Sequence, residues 1–117
     1  MGKLIPFPTQ GRVTNKDKIE IFKQLLEGLS KQKKEFKKLN KLNNDAVIAF
    51  KNLRREYMVN IFLLENNIEF ENEEDLFKIG KFYFSSNNNR WRVKGKEILY
   101  HSKGIEDFID RYYRRDK

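Results

Sequence analysis

At 117 residues the chain suits one compact domain, and ten Phe, five Tyr and one Trp supply enough area for a core although 36% of residues are charged. A net charge of +8 favours an anionic partner such as nucleic acid, an acidic protein or a membrane surface. The absence of cysteine excludes a disulfide framework and any thiolate metal site, and makes a cytoplasmic location the default expectation.

Residues 1–13 read as a tail. Pro6 and Pro8 remove backbone donors and hold their neighbours extended. Leu4, Ile5, Pro6, Phe7 and Pro8 are nevertheless apolar, which suits either folding back over the core or docking on a partner protein as a short linear motif. This start is too short for a signal peptide, and no stretch approaches the ~20 apolar residues of a membrane span, so no membrane partner is expected.

A single domain is expected over residues 14–117, opening with a helical hairpin over 14–64. Thr14 or Asn15 caps the first helix, with Asp17 favouring its positive end. Ile19, Phe22, Leu25, Leu26, Leu29, Phe36, Leu39 and Leu42 recur in threes and fours, the helical period. The stripe lapses at Gln32 and Lys33, and Gly28 weakens the helix by roughly 1 kcal/mol relative to Ala. Asn43 and Asn44 break the pattern and offer a cap for a second helix from about Asp45 to Leu64. Its stripe is Ala46, Phe50, Leu53, Tyr57, Ile61 and Leu64, and beyond Tyr57 it is apolar on nearly every side, as a buried helix end is. The two helices are expected to lie antiparallel.

Residues 65–79 carry six acidic side chains against Lys78 alone. They read as a loop followed by a short acidic helix around Glu73–Ile79, ended by Gly80. The period then changes to alternation, as a β-meander plus C-terminal helix over 80–117. Residues 81–85, 90–94 and 97–101 form three antiparallel strands rich in aromatic and branched residues, with Ser86–Asn89 and Gly95 at the turns. A last helix starts at Ser102 or Gly104 and buries Ile105, Phe108, Ile109 and Tyr112. The fold class is α+β.

Charge is unevenly spread. Residues 1–44 hold eleven basic against four acidic side chains, and residues 80–103 hold six basic residues against Glu97. Lys33, Lys34, Lys37, Lys38 and Lys41, with Lys31, crowd into three helical turns, where like charges at i and i+4 repel and an anion relieves them. The plain alternative is a solvated helix face. The second basic surface is more specific. Alternation along the strands turns Phe82, Phe84 and Trp91 inward and leaves Lys81, Tyr83, Arg90, Arg92 and Lys94 on an outer face, with His101 joining them if the third strand keeps register. Arg, Lys and Tyr on a sheet face hold phosphates and stack on a base or sugar, although an ordinary polar outer face has the same composition.

Catalytic groups are scarce. One His, no Cys and no Gly-rich phosphate loop argue against an enzyme, and no cofactor is expected. Glu73, Glu74 and Asp75 lack the Gly and ligand spacing of a calcium loop, and a carboxylate-based nuclease is the weakest reading. The same acids repel phosphates and disfavour a winged helix-turn-helix that would read DNA with residues 73–79. The expected function is therefore a small nucleic-acid-binding accessory or regulatory protein, acting on DNA or RNA. The heavy use of Lys, Asn, Ile, Phe and Glu, with AT-rich codons, suggests a low-GC bacterium or one of its phages or plasmids, so that a phage or mobile-element origin is one expectation. The alternative is a protein-interaction module whose long N-terminal helix pairs with a second copy or a host protein.

Overall fold

The structure is a computed structural model that describes residues 14–116. The apolar tail segment Leu4–Pro8 lies outside the described residues. The chain divides into two compact units, a helical one ending at Asn67 and a sheet unit starting at Ile68.

The helical unit is the expected hairpin. Helix α1 spans Asn15–Lys38 and helix α2 spans Asn44–Glu65. Thr14 caps α1 reciprocally: its hydroxyl accepts from the Asp17 amide at 3.1 Å, and its own amide donates to the Asp17 carboxylate at 3.2 Å. The Asn43 side chain caps α2 by accepting from the Ala46 amide at 2.8 Å. Between them α1 ends in a turn with Asn40 at φ 56°, where the Lys41 amide donates to the Phe36 carbonyl at 2.8 Å and the Asn40 amide to Lys37 at 3.2 Å. Asn tolerates that left-handed position better than most side chains, which is why an Asn-rich sequence suits these helix ends.

The helices run antiparallel. The Asn15 side-chain amide, at the start of α1, donates to the Leu64 carbonyl at 3.2 Å and to the Asn67 side chain at 3.0 Å, at the end of α2. Phe22 meets Tyr57 at a ring separation of 6.0 Å, and Phe36 meets Phe50 edge-on at 5.2 Å. The lapse in the α1 stripe does not interrupt the helix, because Phe36 recovers a partner beyond it. Leu29, Val59, Leu63 and Leu64 are buried.

The sheet unit holds a five-stranded antiparallel sheet in sequential order, β1 (Glu71–Glu73), β2 (Leu76–Ile79), β3 (Phe82–Ser85), β4 (Arg90–Val93) and β5 (Tyr100–His101). Two expectations are corrected here. The short acidic helix is instead the β1–β2 hairpin. Leu76–Ile79 alternate, with Phe77 and Ile79 fully buried and Lys78 half-exposed, so tertiary burial on one face outweighs the helix-like run of acids before them. The strand count is five and not three, and the third expected strand shrinks to Tyr100–His101. The Lys96 amide closes a turn on the Val93 carbonyl at 2.9 Å, with Gly95 at φ 84°, and residues 97–99 fall outside the ladder.

The final helix begins behind Gly104 as one α-turn, α3 (Ile105–Phe108), widens into a π-turn at Ile109–Tyr113 and tightens over Arg114–Asp116. The wide turn brings Tyr112 and Tyr113 to the same side, Tyr112 against Trp91 at 4.5 Å and Tyr113 near Phe82 at 6.5 Å. Phe108 and Ile109 are fully buried as expected, while Ile105 and Tyr112 are half-buried. Asp107 and Arg111 pair one turn apart at 2.8 Å.

Two hairpins share a two-residue turn and differ in the residue that opens it. Gly80 opens the β2–β3 turn at φ 60°, while Glu74 opens the β1–β2 turn at φ 54°. A side chain in the left-handed region costs about 1–2 kcal/mol, and Gly returns part of that gain as extra freedom in the unfolded chain. Glu74→Gly is therefore expected to stabilise the sheet unit by roughly 0.5–1 kcal/mol. Urea unfolding followed through Trp91 fluorescence measures it, and a loss of stability contradicts the strain at Glu74.

Candidate nucleic-acid interface

The pleat and the register together decide which side chains share a face. One face of the sheet carries Phe77, Ile79, Phe82, Phe84 and Trp91, all buried. On the other face four residues stand directly opposite one another in succession, Glu71 beside Lys78, Lys78 beside Tyr83 and Tyr83 beside Arg92. A second row on that face sets Ser85 beside Arg90 and Arg90 beside His101. Neighbouring strands lie about 4.8 Å apart, so each row is a run of closely spaced polar side chains across the sheet.

Within this face Tyr83 and Arg92 form a unit. The Arg92 guanidinium carbon lies 4.5 Å from the Tyr83 ring centroid, a cation–π contact between two half-exposed side chains. Arg90 and His101 are exposed. The four-residue turn that delivers Arg90 is held by its own asparagines. The Asn88 side chain accepts from the Arg90 amide at 3.1 Å, Asn89 takes φ 57°, and the Asn89 carbonyl accepts from the buried Ser102 amide at 3.0 Å. That last bond also fixes the approach to β5, which keeps His101 level with Arg90.

Of the expected strand-face residues, some lie within the paired strands and others just beyond them. Tyr83, Arg90 and Arg92 are brought together. Lys94 lies just past β4, its amide donating to the Lys81 carbonyl at 2.8 Å. Lys81 itself is the second residue of the β2–β3 turn, with its ammonium 5.6 Å from the Phe82 ring centroid. Lys81 and Lys94 thus mark one end of the β3–β4 ladder. Lys33, Lys34, Lys37 and Lys38 occupy the last turns of α1, and Lys41 follows the helix; all are exposed and belong to the helical unit. Cations at a helix C-terminus are favoured by its partial negative charge, which accounts for Lys37 and Lys38 without any ligand.

Lys78 was missed, because residues 73–79 read as helix. Its signal was the alternation of Phe77, Lys78 and Ile79. The acids also acquire a definite place. Glu71, Glu73, Glu74 and Asp75 form the exposed β1 edge and its turn, at the opposite side of the sheet from β5. The outer face therefore grades from acidic at β1 to basic over β3–β5. Among the described residues no group of three or more His, Asp or Glu side chains converges to hold a metal ion, and no helix is long and apolar enough to cross a membrane. No protein family, curated protein sequence or solved structure matches the chain.

Proposed function

We propose that the chain is a small nucleic-acid-binding accessory or regulatory protein, not an enzyme, and that the outer sheet face is its contact surface. The observation that carries this reading is the register, which sets Lys78, Tyr83, Arg90, Arg92 and His101 on one face while the aromatic core takes the other. Arginines offer planar, bidentate donors to phosphate, and Tyr83, opposite Arg92 on the neighbouring strand, adds a stacking surface. The Lys-rich end of α1, in the helical unit, is a second basic surface that would attract phosphates without regard to sequence.

Fluorescence anisotropy with labelled mixed-sequence DNA and RNA tests this directly. About four phosphate contacts give a log–log salt slope of roughly −2.8 to −3.6, so affinity is expected to fall about 50- to 150-fold between roughly 50 and 200 mM salt. No binding at the lower salt sinks the reading. It favours instead an interaction module built on the helical hairpin, where Leu39 and Ile48 stand more than half exposed near the interhelical turn.

A further inference from the structure

We infer that the outer sheet face takes single-stranded nucleic acid in preference to duplex, with the Tyr83–Arg92 pair as the platform on which one unpaired base stacks. The inference rests on the proposed nucleic-acid reading and narrows it to one conformational class of ligand.

Three observations point the same way. The first is the position of the aromatic. Tyr83 lies between Lys78 and Arg92 in one row of directly opposed residues, in the interior of the sheet face and not at its rim. A duplex offers such a face only phosphates and groove edges, because its bases are stacked on one another. A half-exposed ring in the middle of the face gains a partner only from a base that is already unstacked.

The second is that Arg92 already lies 4.5 Å from the Tyr83 ring centroid. A guanidinium is planar and stacks on aromatic faces, so the pair offers a base either the guanidinium or the remaining ring surface, and does so without ordering a free side chain on binding. Arg90, next but one along β4, shares the face and is placed for the adjoining phosphate, with His101 directly across from it.

The third is the charge gradient across the sheet. Glu71 stands beside Lys78, and Glu73, Glu74 and Asp75 continue the acidic edge. A polyanion is repelled from β1 and kept over β3, β4 and β5. With strands about 4.8 Å apart, that leaves a track roughly 10 Å across, between β3 and β5. A narrow strip with a ring at its acidic side and cations beyond fits one flexible strand, whose backbone follows the cations while its bases turn toward Tyr83.

The experiment compares labelled single-stranded 12-mers of DNA and RNA with the corresponding duplexes, at roughly 50 mM salt, on the full chain and on Tyr83→Leu and Tyr83→Phe. The full chain is expected to bind one or both single strands at least ~10-fold more tightly than the matching duplex. Tyr83→Leu is expected to lose ~5- to 150-fold of the single-strand affinity, the range for one base–aromatic stack, with duplex binding and the salt slope unchanged. Tyr83→Phe keeps the ring and is expected to bind like the parent. A single-strand preference confined to DNA or to RNA names which of the two sugars the face accepts. Duplex binding as tight as single-strand binding, or equal losses for both in Tyr83→Leu, overturns the inference while leaving the basic-face reading in place. Binding to none of the four overturns both.

Discussion

Phe108→Ala is expected to abolish the ordered sheet unit at room temperature. Phe108 is fully buried, and its ring lies 5.3 Å from those of Phe84 and Trp91, 5.4 Å from Phe82 and 6.2 Å from Tyr112. Its ring meets those of β3 and β4 together. Removing a buried Phe side chain costs about 3–5 kcal/mol, part transfer and part cavity. A unit of about 50 residues commands only roughly 2.5–7.5 kcal/mol of stability in all, at 0.05–0.15 kcal/mol per residue. The cavity loss is therefore of the size of the whole. Trp91 is the only Trp in the chain and is 6% exposed, so its emission reports this core alone. The expected result is emission typical of a hydrated indole in Phe108→Ala and of a buried one in the parent. Buried-type emission retained in the variant, with an unfolding midpoint near the parent's, shows that the ring cluster is not the unit's main support.

The same cluster explains why much of the sheet was legible in the sequence. Phe82, Phe84, Trp91 and Phe108 are large, and each falls at the period its element requires, two along β3 and 3.6 along the last helix. Burial and alternation thus agreed, and the outward places of Tyr83, Arg90 and Arg92 followed as their complement. The helical hairpin was legible for a similar reason, since Thr14 and Asn43 supplied caps just before each apolar stripe. The β1–β2 hairpin was not. Glu73, Glu74 and Asp75 are what a helix N-terminus favours, and the turn residue at φ 54° is a Glu, with no Gly or Asn to announce a hairpin. Losing that hairpin hid Lys78 from the candidate face and left the acidic segment without a location. The short β5 was over-read because Ile98 and Leu99 suggest a strand, yet both stand exposed outside the ladder.

The Arg90→Ala/Arg92→Ala double variant carries the largest expected effect on binding. Each guanidinium that meets a phosphate forms charge-assisted hydrogen bonds, and on a surface in contact with water two such contacts are worth about 2–3 kcal/mol together, or roughly 30- to 150-fold in affinity at about 50 mM salt. Two fewer displaced counterions also flatten the salt dependence by about 1.4–1.8 on the log–log scale. The two readouts have different origins, and that separates contact from general charge. Arg90→Lys/Arg92→Lys keeps both charges and is expected to retain most of the slope, while losing the bidentate geometry and the stacking of Arg92 on Tyr83, so its affinity falls between parent and Ala variant. The fold is expected to tolerate either change. Arg90 is exposed, and the Arg92–Tyr83 contact contributes only about 0.5–1 kcal/mol at a half-exposed site, less than a buried ring would. An Ala variant that is folded by its Trp91 emission and yet binds with unchanged affinity and slope moves the contact surface off the sheet. The exposed lysines from Lys31 to Lys41 are then the next cations to test, by neutralising them and reading the slope again.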